Sequence, residues 1–100
     1  MIDRSKRSSI LNEVHLEMEH QRKMWGIQDY APPEWLMILG EEVGEASKGA
    51  LEAHFPAYLK YGDFSDYRRE LIQVAAVALQ AVESYDRQKE YKNADSKHSL

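Results

Sequence analysis

One hundred residues, 43% of them hydrophobic, suffice for one domain with a modest core and leave no room for a second. A formal net charge of -4 without a continuous basic stripe excludes a general binder of nucleic-acid polymers, and the absence of cysteine excludes disulfide frameworks and zinc–thiolate sites. No basic start leads into an apolar signal core, and the longest nearly apolar run, Leu71 to Val82, is too short for a membrane span and carries Gln73 and Gln80. A cytoplasmic protein without membrane or nucleic-acid polymer partners is expected.

In chain order, Ser8 or Ser9 offers an N-cap for a first helix whose Ile10, Leu11, Val14, Met18 and Gln21 or Arg22 recur at helical spacing. That helix ends near Trp25-Gly26. Gln28 to Pro33 has too few amide donors to continue a helix, although Pro33 suits the first turn of the next. The second helix runs from about Glu34 to Ala53, with Trp35, Leu36, Leu39, Val43, Ala46 and Ala50 as its core-facing stripe. His54 to Asp63 connects, and Asp63 or Ser65 caps a third helix through Tyr67, Leu71, Val74, Ala75, Ala78, Leu79 and Val82 to roughly Glu90. One helical domain over 1–92 and a polar, frayed tail over 93–100 follow. Between Leu71 and Val82 the third helix is apolar nearly all round, which calls for a second subunit. The expected fold class is all-α: three main helices per chain, forming a helical-bundle oligomer.

The segment EEVGEASKGA crowds Glu41, Glu42 and Glu45 beside the second helix's apolar stripe. At about 100° per residue, Glu42 and Glu45 lie about 60° apart, and Glu41 and Glu45 about 40°. Acids held this way suit a hard cation such as Mg²⁺, which takes a few carboxylates and keeps water and phosphate oxygens as its other ligands. Glu70, at the start of the apolar third helix, is the candidate for the other half of such a site, because a lone carboxylate there is costly to bury. The plainer reading of an acid pair at this spacing is a solvated helix face.

EEVGEASKGALE followed by YRRELIQVAAVALQAVE, with Glu19-His20-Gln21-Arg22-Lys23-Met24-Trp25-Gly26 and Trp35-Leu36-Met37-Ile38-Leu39 upstream, resembles the MazG-like all-α nucleoside triphosphate pyrophosphohydrolases, especially small single-domain phage and bacterial members. The resemblance covers about Leu11 to Asp86. It implies a Mg²⁺-dependent enzyme, with Mn²⁺ as a substitute, in which one helix supplies an ExxE pair and the next an ExxD pair within a homodimer or homotetramer. Glu42 and Glu45 match the first pair and Glu70 opens the second, but Gln73 stands where an aspartate is expected. A literal ExxD occurs at Glu83 and Asp86, about 20 Å farther along the helix and about 140° around it, too far to share one metal cluster with Glu70. Those two are read as surface acids.

The implied reaction hydrolyses a (d)NTP to a (d)NMP and pyrophosphate, in nucleotide-pool cleansing or control. Glu42, Glu45, Glu70 and Gln73 are the expected metal ligands, and Glu41 is a general-base or outer-sphere candidate. Lys48, Arg68 and Arg69 are within reach of phosphate, each with surface ion pairing as its plainer role. Trp25 can stack on a base or pack in the core, whereas Trp35 falls on the apolar stripe and is read as core. His15, His20, His54 and His98 show no paired metal spacing. With Gln73 in the cluster, the alternative is a catalytically weakened nucleotide-sensing or partner-binding helical dimer. A third reading is a plain oligomerisation module with solvated acids.

Overall fold

The computed structural model describes residues 2–98, with side chains through Glu90, and among them every regular element is an α-helix. Helix α1, Arg4–Trp25, starts earlier than the expected serine caps. The carboxylate of Asp3 accepts from the backbone N–H groups of Ser5 at 3.0 Å and Lys6 at 3.2 Å, and this cap brings the basic segment before Ser8 into the helix. Gly26 ends α1 with φ 76°, a left-handed conformation that costs glycine nothing, and its N–H donates to the Arg22 carbonyl at 2.8 Å.

Helix α2 spans Pro32–His54. Both prolines fit its first turn, where no backbone donor is needed, and the Glu34 carboxylate accepts the Ala31 N–H at 3.1 Å. Helix α3, Ser65–His98, follows the Asp63 carboxylate, which accepts the Ser65 N–H at 3.0 Å. The expected stop near Glu90 is corrected: no glycine or proline occurs from Ser65 onward, and the helix runs through residues 93–98 of the expected tail. Residues 99 and 100 of that tail lie outside the described ones.

Helices α1 and α2 both pack on α3 and not on each other. The radius of gyration is 17.5 Å, against roughly 13 Å for a compact 100-residue domain. Val14, Met18 and Ala76 form the α1–α3 core with Ile72 and Ala75 against it, while Trp35, Ala46, Ala53 and Val77 are buried elsewhere. Trp35, 6% exposed, takes the core position expected of it. Of the expected stripes, Ile10 and Leu11 on α1, Leu36 and Val43 on α2, and Leu71, Leu79 and Val82 on α3 remain exposed. Among the described residues, no helix is long and apolar enough to cross a membrane.

Two features set the registry around the acids. At Gly49, a Cβ would stand 3.1 Å from the Tyr67 backbone nitrogen, so its bare Cα lets α2 approach the first turn of α3. At the other end, Arg87 donates to Asp29 from Nε at 3.1 Å and Nη2 at 2.7 Å, and Gln88 donates to the Tyr30 carbonyl at 2.9 Å. The α1–α2 connection is thereby fastened to α3. Arg22 on α1 reaches Glu83 on α3 at 2.6 Å.

Candidate metal centre

The facing of α2 and α3 brings Glu42 against Glu70 and Gln73. In the orientation that satisfies its surroundings, the Gln73 amide nitrogen donates to Glu42 Oε2 at 3.2 Å and to Glu70 Oε2 at 3.0 Å. One neutral donor thus sits between two carboxylates contributed by different helices. Burial pushes the Glu42 carboxyl above its ordinary range, and the negative charges of Glu70, Glu45, Glu17 and Glu41 push it the same way.

Three clefts meet around this contact. The first, about 430 Å³, is walled by Trp25, Tyr30 and Trp35, with Gln21 and Gln80, and reaches Glu42 and Gln73. The second, about 180 Å³, holds Glu45 and Glu70 together with Lys48, Lys60, Asp66 and Arg69. The third, about 450 Å³, is bordered by Glu13, Glu17, Arg68, Arg69 and Gln73. Gln73 and Glu70, hydrogen-bonded to each other, therefore join an aromatic cleft to a charged one.

The sequence-predicted residues divide accordingly. Glu42, Glu70 and Gln73 are brought into contact. Glu45 lies beside Glu70 in the charged cleft, with Lys48 one turn on. Glu41 is exposed and lines none of these clefts, although its charge reaches Glu42. Arg68 is engaged by Glu13 through two hydrogen bonds, at 2.9 and 2.6 Å, which hold the Glu13 carboxyl below its ordinary range. Arg69 pairs with Asp66 at 2.7 Å, and Lys60 binds the same carboxylate. Lys48 forms no salt bridge among the described residues. Trp25, 65% exposed, is a cleft wall rather than core. Glu83 pairs with Arg22, in keeping with its reading as an acid outside the cluster.

Glu17, His20 and Tyr30 also line the first cleft and were not singled out by spacing. Glu17 lies one turn beyond Val14 on the flank of the buried stripe of α1, where an acid reads as an ordinary boundary residue. The indole Nε1–H of Trp35 is buried without an acceptor among the described residues.

Carboxylate and amide oxygens make a donor set suited to a hard divalent cation. As they stand, no three His, Asp or Glu side chains among the described residues are close enough to hold an ion between them. The Gln73 amide occupies the point where two of the acids converge, and holding a cation there requires the amide to turn its oxygen inward. Comparison of the chain with protein-family models, curated proteins and solved structures finds no match.

Glu42→Gln removes a charge while keeping an acceptor for Gln73. Because the folded-state pKa of Glu42 is raised, its contribution favours folding below the unfolded-state pKa and is lost as pH rises through the folded-state value. At pH 7 without divalent metal, Glu42→Gln should therefore raise the melting temperature by roughly 2–4 °C, from relief of the burial penalty on the charge together with like-charge repulsion, about 0.5 kcal/mol in all. The difference from wild type should close as pH falls toward the ordinary carboxylate range. Paired thermal melts across pH measure this, and an unchanged melting temperature at pH 7 would identify a freely solvated acid.

Proposed function

We propose that this chain is a Mg²⁺-dependent nucleoside triphosphate pyrophosphohydrolase of the MazG-like kind, acting as a homodimer or homotetramer in the cytoplasm. The observation that carries this reading is the convergence of Glu42 from α2 with Glu70 and Gln73 from α3, between an aromatic cleft and a cleft containing Lys48 and Arg69. A nucleotide has the matching polarity, with a planar base at one end and a polyanion at the other.

Glu42, Glu45, Glu70 and the Gln73 carbonyl oxygen would hold Mg²⁺, which when bound supplies positive charge against the phosphates and acidifies a water ligand. Trp25 and Tyr30 give the base flat apolar surface, with the buried Trp35 behind Tyr30 and Gln21 and Gln80 as amide partners. Lys48, which forms no salt bridge among the described residues, would counter the charge of the departing pyrophosphate, and Arg69 lies in the same cleft paired with Asp66. Water adds to the α-phosphorus, the bond from that phosphorus to the bridging oxygen breaks, and nucleoside monophosphate and pyrophosphate separate. With Glu42 counted among the ligands, Glu41 outside them is the carboxylate left to take the water's proton. Its charge also contributes to the negative field at Glu42.

The experiment is incubation of purified protein with a panel of canonical and modified (d)NTPs plus Mg²⁺, scoring pyrophosphate against orthophosphate. Pyrophosphate with a matching monophosphate is expected; silence across the panel sinks the enzyme reading. The Gln73 bridge favours one second reading, a nucleotide-sensing dimer with little turnover, because it satisfies two acids without a cation. In that case, Mg²⁺ with a non-hydrolysable triphosphate raises the melting temperature although no pyrophosphate is released. If neither occurs, a plain oligomerisation module is left.

A further inference from the structure

Gln73 is where the chain departs from the pattern it resembles, and its surroundings show what the neutral amide does there. Two carboxylates facing each other across a helix pair repel unless a cation or hydrogen-bond donors lie between them. Here the donor is internal: a single amide nitrogen spans Glu42 and Glu70 at 3.2 and 3.0 Å. Gln73 is itself half-buried and three residues from Glu70 on the same helix, so the two side chains share one face of α3 toward Glu42. An aspartate at this position has no donor to offer and adds a third negative charge, which leaves the metal-free cluster dependent on an ion.

We propose that Gln73 is a positioning residue that substitutes for the bridging cation, holding Glu42 and Glu70 together in the metal-free protein and setting how weakly the centre takes up a divalent ion. The identification of the ion's site rests on the proposed function; the bridge itself does not. Two states of one side chain follow. With nitrogen inward, the amide ties α2 to α3 and no cation is needed; with oxygen inward, it joins the glutamates as a neutral ligand. Uptake of an ion must break both hydrogen bonds, so affinity is reduced by the lost bridge as well as by the missing charge.

The test uses the full-length protein and three variants, Gln73→Asp, Gln73→Leu and Gln73→Leu with Glu42→Gln, in EDTA and under Mn²⁺ titration followed by calorimetry. In EDTA, Gln73→Leu and Gln73→Asp should melt below wild type. The Gln73→Leu loss should shrink in the Glu42→Gln background, a coupling that a purely space-filling Gln73 does not produce. Gln73→Asp should bind Mn²⁺ roughly tenfold to a hundredfold more tightly than wild type, and saturating Mg²⁺ should restore its melting temperature. If Gln73→Leu does not fold, Gln73→Asp carries the same comparison with and without metal. An unchanged melting temperature in EDTA for both single variants, or Mn²⁺ affinity in Gln73→Asp no higher than in wild type, overturns the proposal. Absence of pyrophosphate release from every variant, with the melting and Mn²⁺ results intact, removes the pyrophosphohydrolase reading and leaves the bridge standing.

Discussion

Glu70→Gln should reduce Mg²⁺-dependent pyrophosphate release by roughly a hundredfold or more, since loss of even an outer partner of a metal ligand commonly costs 10–100-fold. Glu70 connects the arrangement: it lines the cleft containing Lys48 and Arg69 and accepts from the Gln73 amide that also reaches Glu42. The substitution preserves shape and an acceptor oxygen while removing one of the few charges able to hold a cation. Glu83→Gln is the matching control. Glu83 belongs to the literal ExxD motif but pairs with Arg22 at 2.6 Å, so turnover should be unchanged even if stability falls slightly. Single-turnover rates for both variants, with pyrophosphate as the scored product, decide between the two registers. Equal loss in both, or loss only in Glu83→Gln, would remove the centre assigned to Glu42, Glu70 and Gln73.

Helical periodicity made three helices legible, and proline and glycine made their connections so. Helix ends were less legible because they depend on single hydrogen bonds. Arg4 to Arg7 has no apolar residue to mark a helix, yet the carboxylate of Asp3 is enough to start one. At the other end, α3 continues past Glu90 because polarity alone does not stop a helix. Within the candidate site, the i,i+3 spacing of Glu70 and Gln73 was visible, but their meeting with Glu42 depends on how α2 sits on α3. That registry comes from Gly49 against the Tyr67 backbone, a contact no periodicity reveals. Glu17 escaped for the same reason: it joins the acidic field of Glu42 only through the tertiary position of α1. Arg68 illustrates the reverse, since a cation suited to phosphate is already engaged by Glu13.

Val82→Lys should convert the protein to a species near 11.6 kDa, whereas the parent should run at two or four times that mass. On α3, Leu71, Ala78, Val82 and Tyr85 fall within about 60° of one another around the axis, and Leu71, Val82 and Tyr85 are 41%, 58% and 55% exposed. Helix α2 leaves Leu36 and Val43 uncovered as well, at 66% and 47%. The two helices each rest on α3 but not on each other, and the radius of gyration is 17.5 Å, so these apolar side chains lie uncovered within the single chain. In the proposed oligomer a second copy would supply apolar surface of the same kind, and a two-fold arrangement would set α3 against its own equivalent. An unpaired lysine at the centre of such an interface costs several kcal/mol, equivalent to roughly a hundredfold or more in dissociation constant. Light scattering during gel filtration at micromolar concentration gives the mass directly, and thermal melts show whether the dissociated chain stays folded. A parent protein that already elutes at monomer mass across that range would exclude the interface, and with it the oligomeric part of the proposed function.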